Sequence, residues 1–100
     1  GNIDEAEYGY RRAVQNGDYS YATLIEWIDL MLLTEKYQDA LPIISDVVFI
    51  YPTELDNYYR IALTYYGLGD EANAEKYYQL GVAKAPQWQS FFESKFNFKM

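Results

Sequence analysis

Hydrophobic positions recur along this chain at helical intervals. Leu24, Trp27, Ile28 and Met31 fall at i, i+3, i+4 and i+7, which places all four on one face of a helix. Tyr58, Ile61, Ala62 and Tyr65 repeat that spacing further on. Ala40, Ile44 and Val47 mark a partner segment, as do Ala74, Tyr78 and Gly81, and Ala6, Tyr10 and Ala13 supply a similar face near the start. Polar punctuation separates the segments. Asn16-Gly17-Asp18 breaks the first from the second. Gly69 is expected to close one helix in the left-handed conformation and Asp70 to cap the next. Thr53-Glu54-Leu55-Asp56, just after Pro52, resembles a capping box with Asp in place of Glu. Thr34 is the expected cap before Glu35. Pro42 falls inside a helical pattern, where its missing amide predicts a bend or a shifted helix start.

The pattern has a period. Ala40 and Ala74 stand thirty-four residues apart, as do Pro52 and Pro86, and Ala6 lies one period before Ala40. A repeat of this length implies helical hairpins, each too small to bury its own apolar face and therefore stacked on its neighbour.

The positions resemble the tetratricopeptide repeat. With Pro52 and Pro86 as the thirty-second residue of the unit, Tyr58, Ile61, Ala62, Tyr65, Gly69, Ala74, Tyr78 and Gly81 stand where the family has an aromatic, Leu, a small residue, Tyr, Gly, Ala, an aromatic and Ala. The earlier unit matches at Leu24, Ala40, Ile44 and Pro52. It departs at Trp27, Ile28, Met31 and Glu35, and the bulk of Ile28 implies a wider helix separation or a different crossing angle there. The resemblance implies an all-α fold, a right-handed α-solenoid of stacked antiparallel helical hairpins with about six helices. Residues 1–18 are expected to be the second helix of a truncated repeat, 19–52 and 53–86 two complete repeats, and 87–100 a C-terminal capping helix, all in one domain. It also implies a fragment of a longer protein that begins mid-repeat and exposes a surface for a missing helix.

Composition narrows the chemistry. The net charge is −7, with only eight basic residues among 100, which argues against nucleic acid and anionic membrane surfaces. Cysteine and histidine are both absent, which removes disulfides, thiol nucleophiles, Cys/His zinc sites and imidazole acid–base chemistry. A cysteine-free chain suits oxidising and reducing compartments alike, with the cytoplasm favoured. Carboxylate pairs such as Asp4 with Glu7, or Glu26 with Asp29, lie at helical spacing in polar settings and read as solvated faces. Gly67-Leu68-Gly69 is too short for a phosphate loop. The expectation is a chain that is not an enzyme, with no cofactor and no metal.

The resemblance implies that the first helix of each unit lines a concave face. Carried over, that face comprises Ala22, Ile25, Glu26, Asp29, Leu32 and Leu33, then Asp56, Tyr59, Arg60, Leu63, Tyr66 and Gly67, then Ser90, Glu93, Ser94 and Asn97. The binding residues expected within it are Ile25, Glu26, Asp29, Leu33, Asp56, Tyr59, Arg60, Leu63 and Tyr66. They would receive a protein or peptide segment with apolar anchors and some basic residues. The family's chaperone carboxylate clamp is argued against, because Ile25, Asp29 and Asp56 stand where Lys and Asn are needed. The alternatives are a structural spacer covered within its parent chain, or an accessory segment of an enzyme whose active site lies elsewhere. Self-association through exposed repeat ends is a further expected mode.

Overall fold

A computed structural model gives the fold and describes residues 2–98. Among these residues it is all-α, with six helices and no strand: α1 (Asn2–Gln15), α2 (Tyr21–Leu33), α3 (Tyr37–Ile50), α4 (Asn57–Gly67), α5 (Glu71–Lys84) and α6 (Gln89–Phe96). A 3-10 turn at Pro86–Trp88 leads into α6. Short links join the helices, and consecutive helices from α1 through α5 pack against one another. No helix among the described residues is long and apolar enough to cross a membrane.

The helical faces become the core. Ile28, Met31, Ala40, Ile44, Val47, Ile61, Ala62, Ala74 and Tyr78 are all buried, and Ala40 and Ala74 are fully so. Leu24, Trp27, Tyr58 and Tyr65 are half-buried at its edge. The face of α1 departs from the pattern. Ala6 is exposed, while Glu7 is buried, where Arg11 and Lys36 pair with its carboxylate. The tyrosines act largely as packing between helices. Tyr65 and Tyr58 flank Tyr77 in parallel stacks with centroids 5.8 and 6.4 Å apart, and Tyr21 meets Tyr51 edge-on at 4.9 Å. The indole N–H of Trp27 is buried without a hydrogen-bond partner.

Some boundaries fall where the punctuation predicted. Gly17 and Gly69 both take positive φ, and the Asp70 carboxylate accepts from the Asn73 amide to cap α5. Others move. Thr53 does not cap α4: residues 52–56 form a turn, and the Asp56 carboxylate reaches Arg60 rather than a backbone amide. Thr34 ends α2 instead of starting α3, its hydroxyl donating back to the Leu30 carbonyl. Glu35 then takes the left-handed conformation at φ 60°, a strain of about 1–2 kcal/mol for a residue with a side chain. Helix α3 starts at Tyr37 and runs on through Pro42. Helix α6 is shorter than the capping helix expected over 87–100: a 3-10 turn precedes it at Pro86–Trp88, it stops at Phe96 with Asn97 left-handed, and residues 99–100 lie outside the described residues.

Two glycines permit close approaches. A Cβ on Gly67 would lie 2.4 Å from ring atoms of Tyr37, so α3 seats an aromatic ring directly on the end of α4. A Cβ on Gly81 would lie 3.0 Å from the Tyr59 ring, so α5 gives way to a ring from α4.

Candidate functional site

Asp29 of α2 and Arg60 and Asn57 of α4 are buried polar residues that meet between the helices. Arg60 Nε donates to Asp29 Oδ1 at 2.7 Å and its Nη2 to Oδ2 at 3.2 Å, a two-point grip between α4 and α2. Its Nη1 donates to Asp56 Oδ2 at 2.7 Å and to Asn57 Oδ1 at 3.0 Å. Asn57 in turn donates to the Tyr21 hydroxyl at 3.0 Å. Burial opposes the charge on Arg60, but Asp29 and then Asp56 more than offset it, so its pKa is pushed further up. The guanidinium therefore stays charged at any pH at which the chain folds.

Helix α6 closes over this cluster. Phe92 lies nearly parallel to the Tyr59 ring, with centroids 5.3 Å apart, and the Arg60 guanidinium stands 5.0 Å from the Phe92 centroid. Lys95 Nζ donates to Asp29 Oδ2 at 3.2 Å. Phe98, just past the helix, meets Tyr66 and Tyr78 edge-on at 5.3 and 5.8 Å. The Tyr78 hydroxyl accepts from Gln89 Nε2 at 2.8 Å and donates to Glu93 Oε2 at 3.3 Å, which pins α6 to α5. Tyr59 donates its hydroxyl to the Ala85 carbonyl at 2.9 Å, and burial raises its pKa.

Comparison with models of known protein families, with curated proteins and with solved structures finds no match.

The nine residues expected on the inner wall divide into two groups. Asp29, Tyr59, Arg60 and Leu63 are buried, and Ile25 and Asp56 are half-buried. Tyr59 is only 1% exposed, so α6 and α5 cover the ring that the sequence placed facing a partner. Glu26, Leu33 and Tyr66 form an exposed rim, with Leu33 at 53% and Tyr66 at 48%. Glu26, Asp29 and Leu33 line a cleft of about 270 Å³ with Ala6, Tyr10 and Lys95, so one end of the wall stays open. Of the last-helix residues expected on the wall, Ser90, Ser94 and Asn97 point to solvent and only Glu93 is held, by Tyr78.

The residues that sequence reasoning missed are Phe92, Lys95 and Phe98. Phe92 and Phe98 fell within the expected capping segment with no role of their own, and Lys95 carried no expectation. The available signal was charge: the wall had two aspartates against one arginine, and Lys95 is a basic residue in the segment that follows. Among the described residues no group of three or more acidic side chains is placed to hold a metal ion.

Proposed function

We propose that this chain is a polypeptide-recognition module of tetratricopeptide-repeat type, a right-handed solenoid of stacked hairpins that works by binding rather than by catalysis. The thirty-four-residue spacing supports it, since Ala40 and Ala74 hold equivalent places and are both fully buried. The observation that carries the reading is the seat of α6. The inner wall of α2 and α4 already accepts a helix through an aromatic ring and a lysine, so its chemistry suits a polypeptide with such groups. The same geometry argues against a carboxylate clamp, because Arg60 is taken up by Asp29 and Asp56.

Selection of displayed peptides against the immobilised chain tests the module. Enriched peptides should lose about tenfold or more in affinity on Tyr66→Ala combined with Leu33→Ser, two rim residues exposed enough for the fold to survive. They should be indifferent to Phe49→Ser, on α3 and 85% exposed. Binding that depends on Phe49 instead would move the function off this wall. A second reading, the structural spacer, draws on the near-complete burial of Tyr59. Selection that yields no rim-dependent peptide would favour it.

A further inference from the structure

We propose that α6 is the resident occupant of a site that takes a partner segment with the same three anchors: a phenylalanine and a lysine three residues on, both in a helix, and a second aromatic three residues later, just past the helix end. This rests on the wall of α2 and α4 being a polypeptide-binding surface, and it specifies the chemistry of what that surface takes.

Each anchor has a prepared socket. Phe92 is 1% exposed, between the Tyr59 ring below it and the Arg60 guanidinium beside it. The floor of that socket is fixed. Tyr59 rests on Gly81 with no room behind it, and its hydroxyl is tied to Ala85. The second socket is electrostatic. Asp29 and Asp56 together outnumber Arg60 by one charge until the Lys95 ammonium arrives, so the wall by itself calls for a cation at this point. The third socket is the pair of edges offered by Tyr66 and Tyr78, which hold Phe98 at 4% exposure. An aromatic and a cation on one helical turn, then an aromatic beyond the left-handed Asn97, is the complement of this wall.

The resident depends wholly on its contacts with the rest of the chain. Helix α6 is eight residues long, too short to persist without its contacts, and its N-terminus has no side-chain cap. It competes because Pro86–Trp88 tethers it, at an effective concentration on the order of millimolar for so short a link. A partner segment with the same anchors also meets Glu26 and Leu33 at the open end of the wall, which stay exposed beside α6.

The test uses the full chain and a fluorescent peptide of residues 86–100. Phe92→Ala with Lys95→Glu in the protein removes the resident's grip while the wall stays intact. This variant should bind the peptide about tenfold or more tightly than the unaltered chain, since the tethered competitor is gone. A peptide with the same two changes should bind neither protein. Equal affinity of both proteins for the unaltered peptide would overturn the proposal. Should the variant lose cooperative melting, hydrogen exchange on the unaltered chain decides. Millimolar peptide should speed exchange of the amides of residues 92–96, and unchanged protection would sink the idea. Rim-dependent peptides that lack the Phe–Lys–aromatic anchors would leave the wall as a binding surface and refute only this proposal.

Discussion

Arg60→Met measures whether the inner wall is dry. Methionine keeps most of the stem and removes the guanidinium, which leaves Asp29 and Asp56 facing each other with side chains only 13% and 19% exposed. Taking one partner from a buried ion pair costs about 3–5 kcal/mol, whereas an exposed pair is worth about 0–1 kcal/mol. Two features put the expected value near the lower end of the buried range. Lys95 still reaches Asp29, and Asp56 retains some water. We therefore expect a loss of about 3 kcal/mol, against a total of about 5–15 kcal/mol for a domain of this kind. In thermal melts this is a drop of about 12 °C or more. Urea denaturation followed by far-ultraviolet circular dichroism gives the free energy directly. Asp29→Leu added to Arg60→Met removes the stranded carboxylate and should restore about 1 kcal/mol or more. A cost for Arg60→Met below about 1 kcal/mol, with an unchanged denaturant slope, would mean that the guanidinium is solvated and α6 is not seated. The sockets for Phe92 and Lys95 would fall with it.

Two further outcomes follow from close contacts and burial. Gly67→Ala improves helix propensity by about 1 kcal/mol but drives a methyl into the Tyr37 ring, so a net loss of about 1–2 kcal/mol is expected in thermal melts. A gain in stability would show that the ring is not held there. Alkaline unfolding should be steep, because burial raises the pKa of Tyr10, Tyr21, Tyr37, Tyr59, Tyr65 and Tyr78 above the ordinary value of 10.0. Above pH 10 the unfolded chain binds fewer protons than the folded one, so stability is full below that pH and falls as pH rises through the folded values. Tyrosinate absorbance that reaches its full amplitude for all twelve tyrosines before helix is lost would contradict this.

The helical faces were legible because burial follows the 3.6-residue period wherever helix packs on helix. Ala40, Ile44, Ala62 and Ala74 therefore sit in the core as their spacing required. The caps were less legible. Thr34 and Thr53 have the right chemistry, but the chain geometry chose others: a left-handed Glu35 closes α2, and the pull of Arg60 diverts Asp56 from capping duty. Ala6 shows the same limit, because exposure there is set by what lies against α1 and Glu7 found two cations on its other side. For the wall, the residues were legible but their cover was not. Position in the repeat placed Tyr59, Arg60 and Asp29 on one surface, whereas the closure by α6 depends on the turn at Pro86 and on a contact between Lys95 and Asp29 sixty-six residues apart.

Gly81 couples three helices through a missing methyl group. Its bare backbone sets how deep the Tyr59 ring can lie, and that depth sets the height at which Phe92 comes to rest. Positions 81, 59 and 92 therefore behave as a single stack of fixed thickness. Bulk added at the bottom must be trimmed from a ring above, or the last helix rides up and the lysine loses its reach. In relatives of this chain the three should vary as a set, with their summed size held constant.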